Sequence, residues 1–226
     1  MIHVKSLPRT PRHSLSLQQL IDNACEEAAV YKKHSIDGVI IENMHDLPYV
    51  TADKCTPEVV AVMTRVCREV KQVMGDTPCG VQILAAMNKE AIATAFAAGL
   101  QFIRCESYVY SHIADEGFMN ACSGDLLRYR KAIGAEDILV FADIKKKHCS
   151  HAVTNDIDIK QTAEAAKFFL ADGVIVTGLK TGHAPNFSDV EQALIIGSYF
   201  KKNGVWSNDL DEERMKRLFD KLNSLQ

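Results

Sequence analysis

Residues 138–148 read ILVFADIKKKH. Ile138 to Ala142 are consecutively apolar, the pattern of a strand covered on both faces, as strands are in a parallel sheet. Asp143, Lys145, Lys147 and His148 follow at and just past its C-terminal end. In α/β barrels and open α/β sheets the loops at that end converge on one face, and chemistry collects there. A charged loop of this kind, taken alone, is as readily a solvated surface. What favours a site is recurrence, because several other strands also end in polar groups.

Moving toward the N-terminus, a helix over about Gly124–Ile133 leads into this strand, and before it lies the excursion SYVYSHIADEGFMNACSGD, residues 107–125. That excursion is longer than ordinary connections and has the length of a functional lid. Phe102–Cys105 is a strand ending at Glu106, preceded by an Ala-rich helix from Asn88 to about Ala98. Gly80–Ala86 is a strand containing Gln82. The helix from Pro57 to about Met74 has Thr56 as its expected cap and Pro57 at its first position. Val39–Glu42 is a strand that ends in Glu42, Asn43 and His45. Leu17, Leu20, Ile21, Ala24, Ala28 and Tyr31 recur at helical spacing, with Ser14 or Ser16 available as cap. A loop over 8–12 with two prolines separates them from a first strand, Ile2–Ser6.

Toward the C-terminus come a helix over Asp158–Ala171, a strand within Gly173–Gly182, a brief helix over Ser188–Gln192, a last strand over Leu194–Gly197 and a closing helix over Leu210–Leu222. Strand and helix alternate throughout, which predicts a parallel α/β fold and a TIM-type (β/α) barrel. Seven strands are expected where a closed barrel has eight. The short crossover between Gly182 and Leu194 is the weak point, since parallel crossovers ordinarily take a dozen residues or more.

The composition is compatible with a single domain over 1–226, with 47% hydrophobic residues and a net charge of -3. It offers no basic footprint for nucleic acid, and no apolar run approaches the ~18 residues of a membrane helix. The seven cysteines include no CxxC pair, so reduced thiols in the cytoplasm, or in the mitochondrial matrix if a transit peptide has been removed, are expected. His148, Cys149 and His151 lack a second ligand cluster at zinc spacing, so neither a metal nor a cofactor is expected.

Glu42, Asp143, Lys147 and His148 are therefore the candidate catalytic residues, since carboxylates beside cations at strand ends do acid–base work or simply pair as ions. Gly178 and Gly182 after the sixth strand, with Gly197 and Ser198 after the last, are the candidate phosphate holders, by analogy with the loops after the last two strands of many barrels. Tight turns alone would also account for those glycines.

The stretches MIHVKSLPRTPR, DGVIIENMHDLP, LLRYRKAIGAE, VFADIKKKH, DGVIVTGLKTG and IIGSYFKKNGVWSNDLDEERMKRLF together resemble the BtpA family over nearly the whole chain, in unbroken motif order. The resemblance implies a barrel of the ribulose-phosphate-binding type. It also implies two alternatives: a protein binding or converting a small phosphorylated sugar or nucleoside-like metabolite, or a non-catalytic assembly factor for a protein complex. The family pattern has a further β/α unit with a GSGV strand before the last strand, and here NFSDVEQ runs almost directly into ALIIGS. The chain thus reads as a shortened form, with an open sheet edge and possible self-association. Relatives also carry Asn where Gln82 stands and Arg near Ala85.

Overall fold

The computed structural model describes residues 1–177 and 195–223. Six strands lie parallel in one sheet: β1 (Ile2–His3), β2 (Val39–Glu42), β3 (Cys79–Gln82), β4 (Phe102–Cys105), β7 (Leu139–Ile144) and β9 (Gly173–Val176). They stand in chain order, the singly wound arrangement of a TIM-type α/β barrel wall. The connecting helices are α1 (Leu17–Lys33), α2 (Pro57–Met74), α3 (Asn88–Ala98), α4 (Ser123–Ala132) and α5 (Ile159–Phe168), and α6 (Glu212–Asn223) closes the described chain.

Local chemistry sets the helix starts. Ser16 caps α1 through a reciprocal pair of bonds, in which Gln19 N donates to Ser16 Oγ at 3.3 Å and Ser16 N donates to Gln19 Oε1 at 2.8 Å. Asp158 and Gln161 form the same box at α5. Thr56 departs from expectation: it sits at the cap position of α2 without a side-chain capping bond, and Pro57 alone marks that start.

Each strand divides its side chains between two layers because successive residues point to opposite faces. Val39 and Ile41, Cys79 and Val81, Ile103 and Cys105, and Val140, Ala142 and Ile144 pack outward with Leu20, Ala28, Val66, Ala95 and Leu126 of the helices, in one apolar core. The alternate residues face the sheet's other side. There Phe102 and Phe141 meet at 5.3 Å between ring centroids. Gly80 and Gly173 make room for them: a Cβ on Gly80 would lie 2.2 Å from the Phe102 ring, and one on Gly173 2.8 Å from that of Phe141.

The excursion after β4 is not an irregular loop. It forms a hairpin of β5 (His112–Ala114) and β6 (Gly117–Met119), and β8 (Cys149–Ser150) adds to it as a third antiparallel strand. The lysine-rich loop after β7 is therefore tied to the excursion by backbone pairing.

The expected last strand is corrected. Leu194 lies outside the described residues, and Ile195–Gly197 form no strand; Gly197 turns directly into a single 3-10 turn, Ser198–Phe200. The segment nevertheless lies against β1, with Met1 N donating to the Ile196 carbonyl at 3.0 Å and His3 Nδ1 bonded to the Trp206 carbonyl at 2.9 Å. Lys201 is almost wholly buried and pairs with Glu27 of α1 at 2.6 and 2.7 Å.

Candidate functional site

The inner face of the sheet changes from apolar to ionisable over one pair of residues per strand. His3 pairs with Glu42 across β1 and β2, and Glu42 with Gln82 across β2 and β3. One step beyond the Val81 and Ile103 pair, Gln82 meets Arg104 of β4. Asp143 of β7 completes the group, with Arg104 Nε 3.0 Å from its Oδ1 and 3.1 Å from its Oδ2. Buried polar atoms normally find partners, and Gln82 Oε1 stands out among the described residues as one that has none.

Burial governs the protonation of this row. The Glu42 carboxyl is pushed up to about 7, first by burial, against the opposing pull of Arg104 and with added repulsion from Glu106 and Asp143. His3 Nε2 is 3.7 Å from Glu42 Oε2, yet burial depresses the imidazole to about 3, so a neutral ring faces Glu42 at neutral pH. Asp143 is raised by burial while Arg104 pulls it down. Lys147 is lowered by burial and then by Arg104, with Glu42 and Asp143 opposing. A carboxyl that titrates near neutrality beside a fixed cation is suited to proton transfer.

A second pair lies one strand step away. Lys146 Nζ meets Glu106 Oε1 in a short contact, and Glu106 Oε2 accepts from Ala86 N at 2.6 Å. Lys145 turns aside to donate to the Thr154 carbonyl at 2.8 Å. These loops surround a small cleft lined by Tyr110, His112, Asp143, Lys146 and His151 among others. Across it the His112 and His151 rings lie 5.3 Å apart. Asp143 is thus the residue shared by the inner row and this opening.

Of the residues expected from sequence, Glu42, Asp143 and Lys147 converge at one end of the sheet. His148 is an exposed residue of the following loop with φ 59°. Gly197 comes close to His3, since a Cβ there would be 3.8 Å from His3 Nε2, and Ser198 opens the following 3-10 turn. Gly178 and Gly182 lie outside the described residues. Sequence reasoning missed His3, Arg104 and Lys146, and did not place Gln82 and Glu106 in the site. The signal was available in Phe102-Ile-Arg-Cys-Glu106, whose strict alternation sets Arg104 and Glu106 on the face opposite Ile103 and Cys105.

Comparison with known proteins adds to this geometry. The family model described as BtpA family matches residues 1–194. An uncharacterized mitochondrial protein of Caenorhabditis elegans is 42% identical, the match covering 100% of this chain and 92% of the worm protein. Its aligned span of 257 positions exceeds the 226 residues here by 31, so about one β/α unit's worth of residues present in the relative is missing from this chain. The photosystem I biogenesis protein BtpA of Synechocystis is 30% identical over 85% of this chain and 66% of its own length. Among solved structures, N-acetylneuraminate lyase from Mycoplasma synoviae is similar at 13% identity and a TM-score of 0.44, over 79% of this chain and 55% of that one.

Proposed function

The chain belongs to the BtpA family, and on that premise we propose that it binds or converts a small phosphorylated sugar or nucleoside-like metabolite at the C-terminal end of its parallel sheet. In this reading Glu42 donates and accepts the proton, Asp143, positioned by Arg104, orients a hydroxyl, and Lys147 answers charge that develops on the substrate. The single observation that carries it is the gathering of Glu42, Arg104, Asp143 and Lys147 at one sheet end, with the Glu42 carboxyl lifted to about 7 by burial. Strongly shifted carboxyls in a cleft cluster at functional sites.

The test is a thermal-shift screen of phosphorylated metabolites against the protein and its Glu42→Gln variant. A ligand at 100 times its Kd adds about 2.7 kcal/mol of stability. Stabilisation by one compound class, with turnover lost in Glu42→Gln, supports the reading. No stabilisation by any phosphorylated compound removes it.

A second reading, a non-catalytic assembly or stability factor for a protein complex, draws on the consecutive exposed residues Phe168, Phe169 and Leu170. A contiguous apolar surface of this kind is a docking feature. The name of the Synechocystis relative agrees with it. In that case the protein co-purifies with a larger complex, self-associates at the same surface or both, and Phe168→Ser abolishes the association without altering ligand response. The placement of the worm relative in mitochondria and the reduced-thiol expectation leave matrix and cytoplasm as the two compartments to compare by fractionation.

A further inference from the structure

A second cavity, of about 240 Å³, opens on the same end of the sheet and is lined by Lys5, Ser6, Arg12, Ser14, Leu15 and His45. The loop after β1 supplies the first five residues and the loop after β2 supplies His45. Ser14 and Leu15 stand just before the Ser16 cap, so the cavity also faces the N-terminal end of the 17-residue helix α1, which favours negative charge.

The cavity is electropositive and unanswered. Among the described residues no carboxylate lies within ion-pair distance of Lys5 or Arg12; the neighbouring cation of the loop, Arg9, is the one that pairs, with Glu58 at 3.2 Å. Asp46, in the same loop as His45, is buried and committed, accepting from Leu7 N and from Asn43 Nδ2, both at 2.8 Å. The imidazole of His45 is depressed to about 4, first by burial and then by Lys5, Lys201 and Arg12. Ser6 already donates to the His45 carbonyl at 2.7 Å, which fixes the two loops together.

The cavity also communicates with the ionisable row. The His45 ring packs on Trp206 at 4.9 Å, Trp206 offers its carbonyl to His3, and His3 faces Glu42. We propose that the cavity bounded by Lys5, Ser6, Arg12, Ser14 and His45 is the anion subsite of this face and holds the phosphoryl group of a small metabolite, whose remaining part extends over Trp206 toward Glu42. The phosphoryl assignment rests on the function proposed above; the anion pocket itself does not. Lys5 and Arg12 supply charge-assisted donors, the Ser14 hydroxyl a neutral one, and Trp206 an aromatic edge between the subsite and the row. This places the phosphate at the first and second loops of the sheet rather than at Gly197 and Ser198, while Gly178 and Gly182 lie outside the described residues.

Trp206 is the chain's sole tryptophan and touches a residue of the pocket, so its fluorescence reports binding. The full chain is titrated at constant ionic strength with inorganic phosphate and with ribose 5-phosphate, alongside Lys5→Ala, Arg12→Ala and the control Arg9→Ala, each checked for an unchanged melting temperature. The expected result is a saturable signal weakened at least tenfold by Lys5→Ala and by Arg12→Ala and less than twofold by Arg9→Ala, with ribose 5-phosphate the tighter ligand. Equal losses in Arg9→Ala and Arg12→Ala, or no saturable signal, overturn the pocket. A phosphorylated sugar that stabilises a combined Lys5→Ala, Arg12→Ala variant as it does the parent keeps the proposed function and removes the pocket. Phosphate binding that needs Lys5 and Arg12, with no phosphorylated sugar binding more tightly, keeps the pocket and removes the sugar-phosphate reading.

Discussion

Arg104 Nε lies between the two carboxylate oxygens of Asp143, 3.0 Å from one and 3.1 Å from the other, with the Asp143 side chain fully enclosed. Removing the cation leaves a buried charge without an answer, which costs about 3–5 kcal/mol. Arg104→Ala is therefore expected to lower the urea midpoint sharply. Arg104→Met with Asp143→Leu, which replaces the pair by apolar volume, recovers most of that loss. An Arg104→Ala variant as stable as the parent in urea titration would show that the pair contributes nothing.

Glu42 makes stability depend on pH in the direction opposite to a paired carboxylate. Its carboxyl titrates near 4.5 when ordinarily solvated and near 7 in the folded chain, so the folded state holds the extra proton between those values. Stability from this group is present below pH ~4.5 and is lost as pH rises toward 7, by roughly 3 kcal/mol at most. Glu42→Gln is expected to flatten that part of the profile. Urea unfolding of both proteins from pH 4.5 to 8 reads the difference directly, and parallel profiles would refute the shift.

Neighbouring lysines are expected to separate stability from ligand response. Lys146 is held by the buried Glu106, so Lys146→Ala strands that carboxylate and destabilises by several kcal/mol. Lys147 is half-buried and faces the Arg104 and Asp143 group. Lys147→Met should keep the melting temperature within a few degrees while removing the ligand-induced shift. A reversal of the two phenotypes in a thermal-shift series would exchange their roles.

The glycine at the floor of the inner face has little freedom. A Cβ at position 80 would lie 2.2 Å from the Phe102 ring, itself packed on Phe141. Gly80→Ala should cost about 1–3 kcal/mol through this overpacking. Gly80→Ala with Phe102→Leu should recover part of it, as differential scanning calorimetry would show.

The residues absent relative to the worm protein predict a further gain. β9 is the last strand of the described sheet, and Val174 on it and Leu139 on its neighbour are each about 40% exposed. Exposed apolar side chains on a strand invite association. Inserting a GSGV-containing β/α unit before Ala193, where the family resemblance implies one, is expected to raise the melting temperature and reduce self-association in sedimentation. A chain equally stable and monomeric without the insert would show the shorter form to be a finished fold.

Much of the architecture was legible because its cause is local. The apolar runs at Val39–Ile41 and Ile138–Ala142 mark strands, though Leu139 stays partly exposed, and Ser16 and Asp158 announce their helices by chemistry within four residues. The site was legible only where a strand ended in charge, as at Glu42 and Asp143. Lys146 escaped because Lys145 adopts φ 45°, which breaks strand alternation and decides which of three consecutive lysines turns inward. The Lys5 and His45 pocket escaped because loops about 40 residues apart meet there, and nothing in either loop alone encodes the other. The final strand failed for a different reason: Ile195–Gly197 has strand-like composition but enters a 3-10 turn at once.

The docking of residues 196–206 on the first strand has a consequence in time. The contacts of Met1 with Ile196, His3 with Trp206 and Glu27 with Lys201 join positions 195, 203 and 174 residues apart in sequence. At a synthesis rate of about 5–20 residues per second, one flank of β1 therefore waits roughly 10–40 s for its cover after it is made. During that interval the nascent sheet presents an open edge, and the helix α1 carries Glu27 without its buried cation. Ribosome-bound chains stalled before Lys201 should accordingly be protease-sensitive over their first 35 residues, and protection there should arrive last.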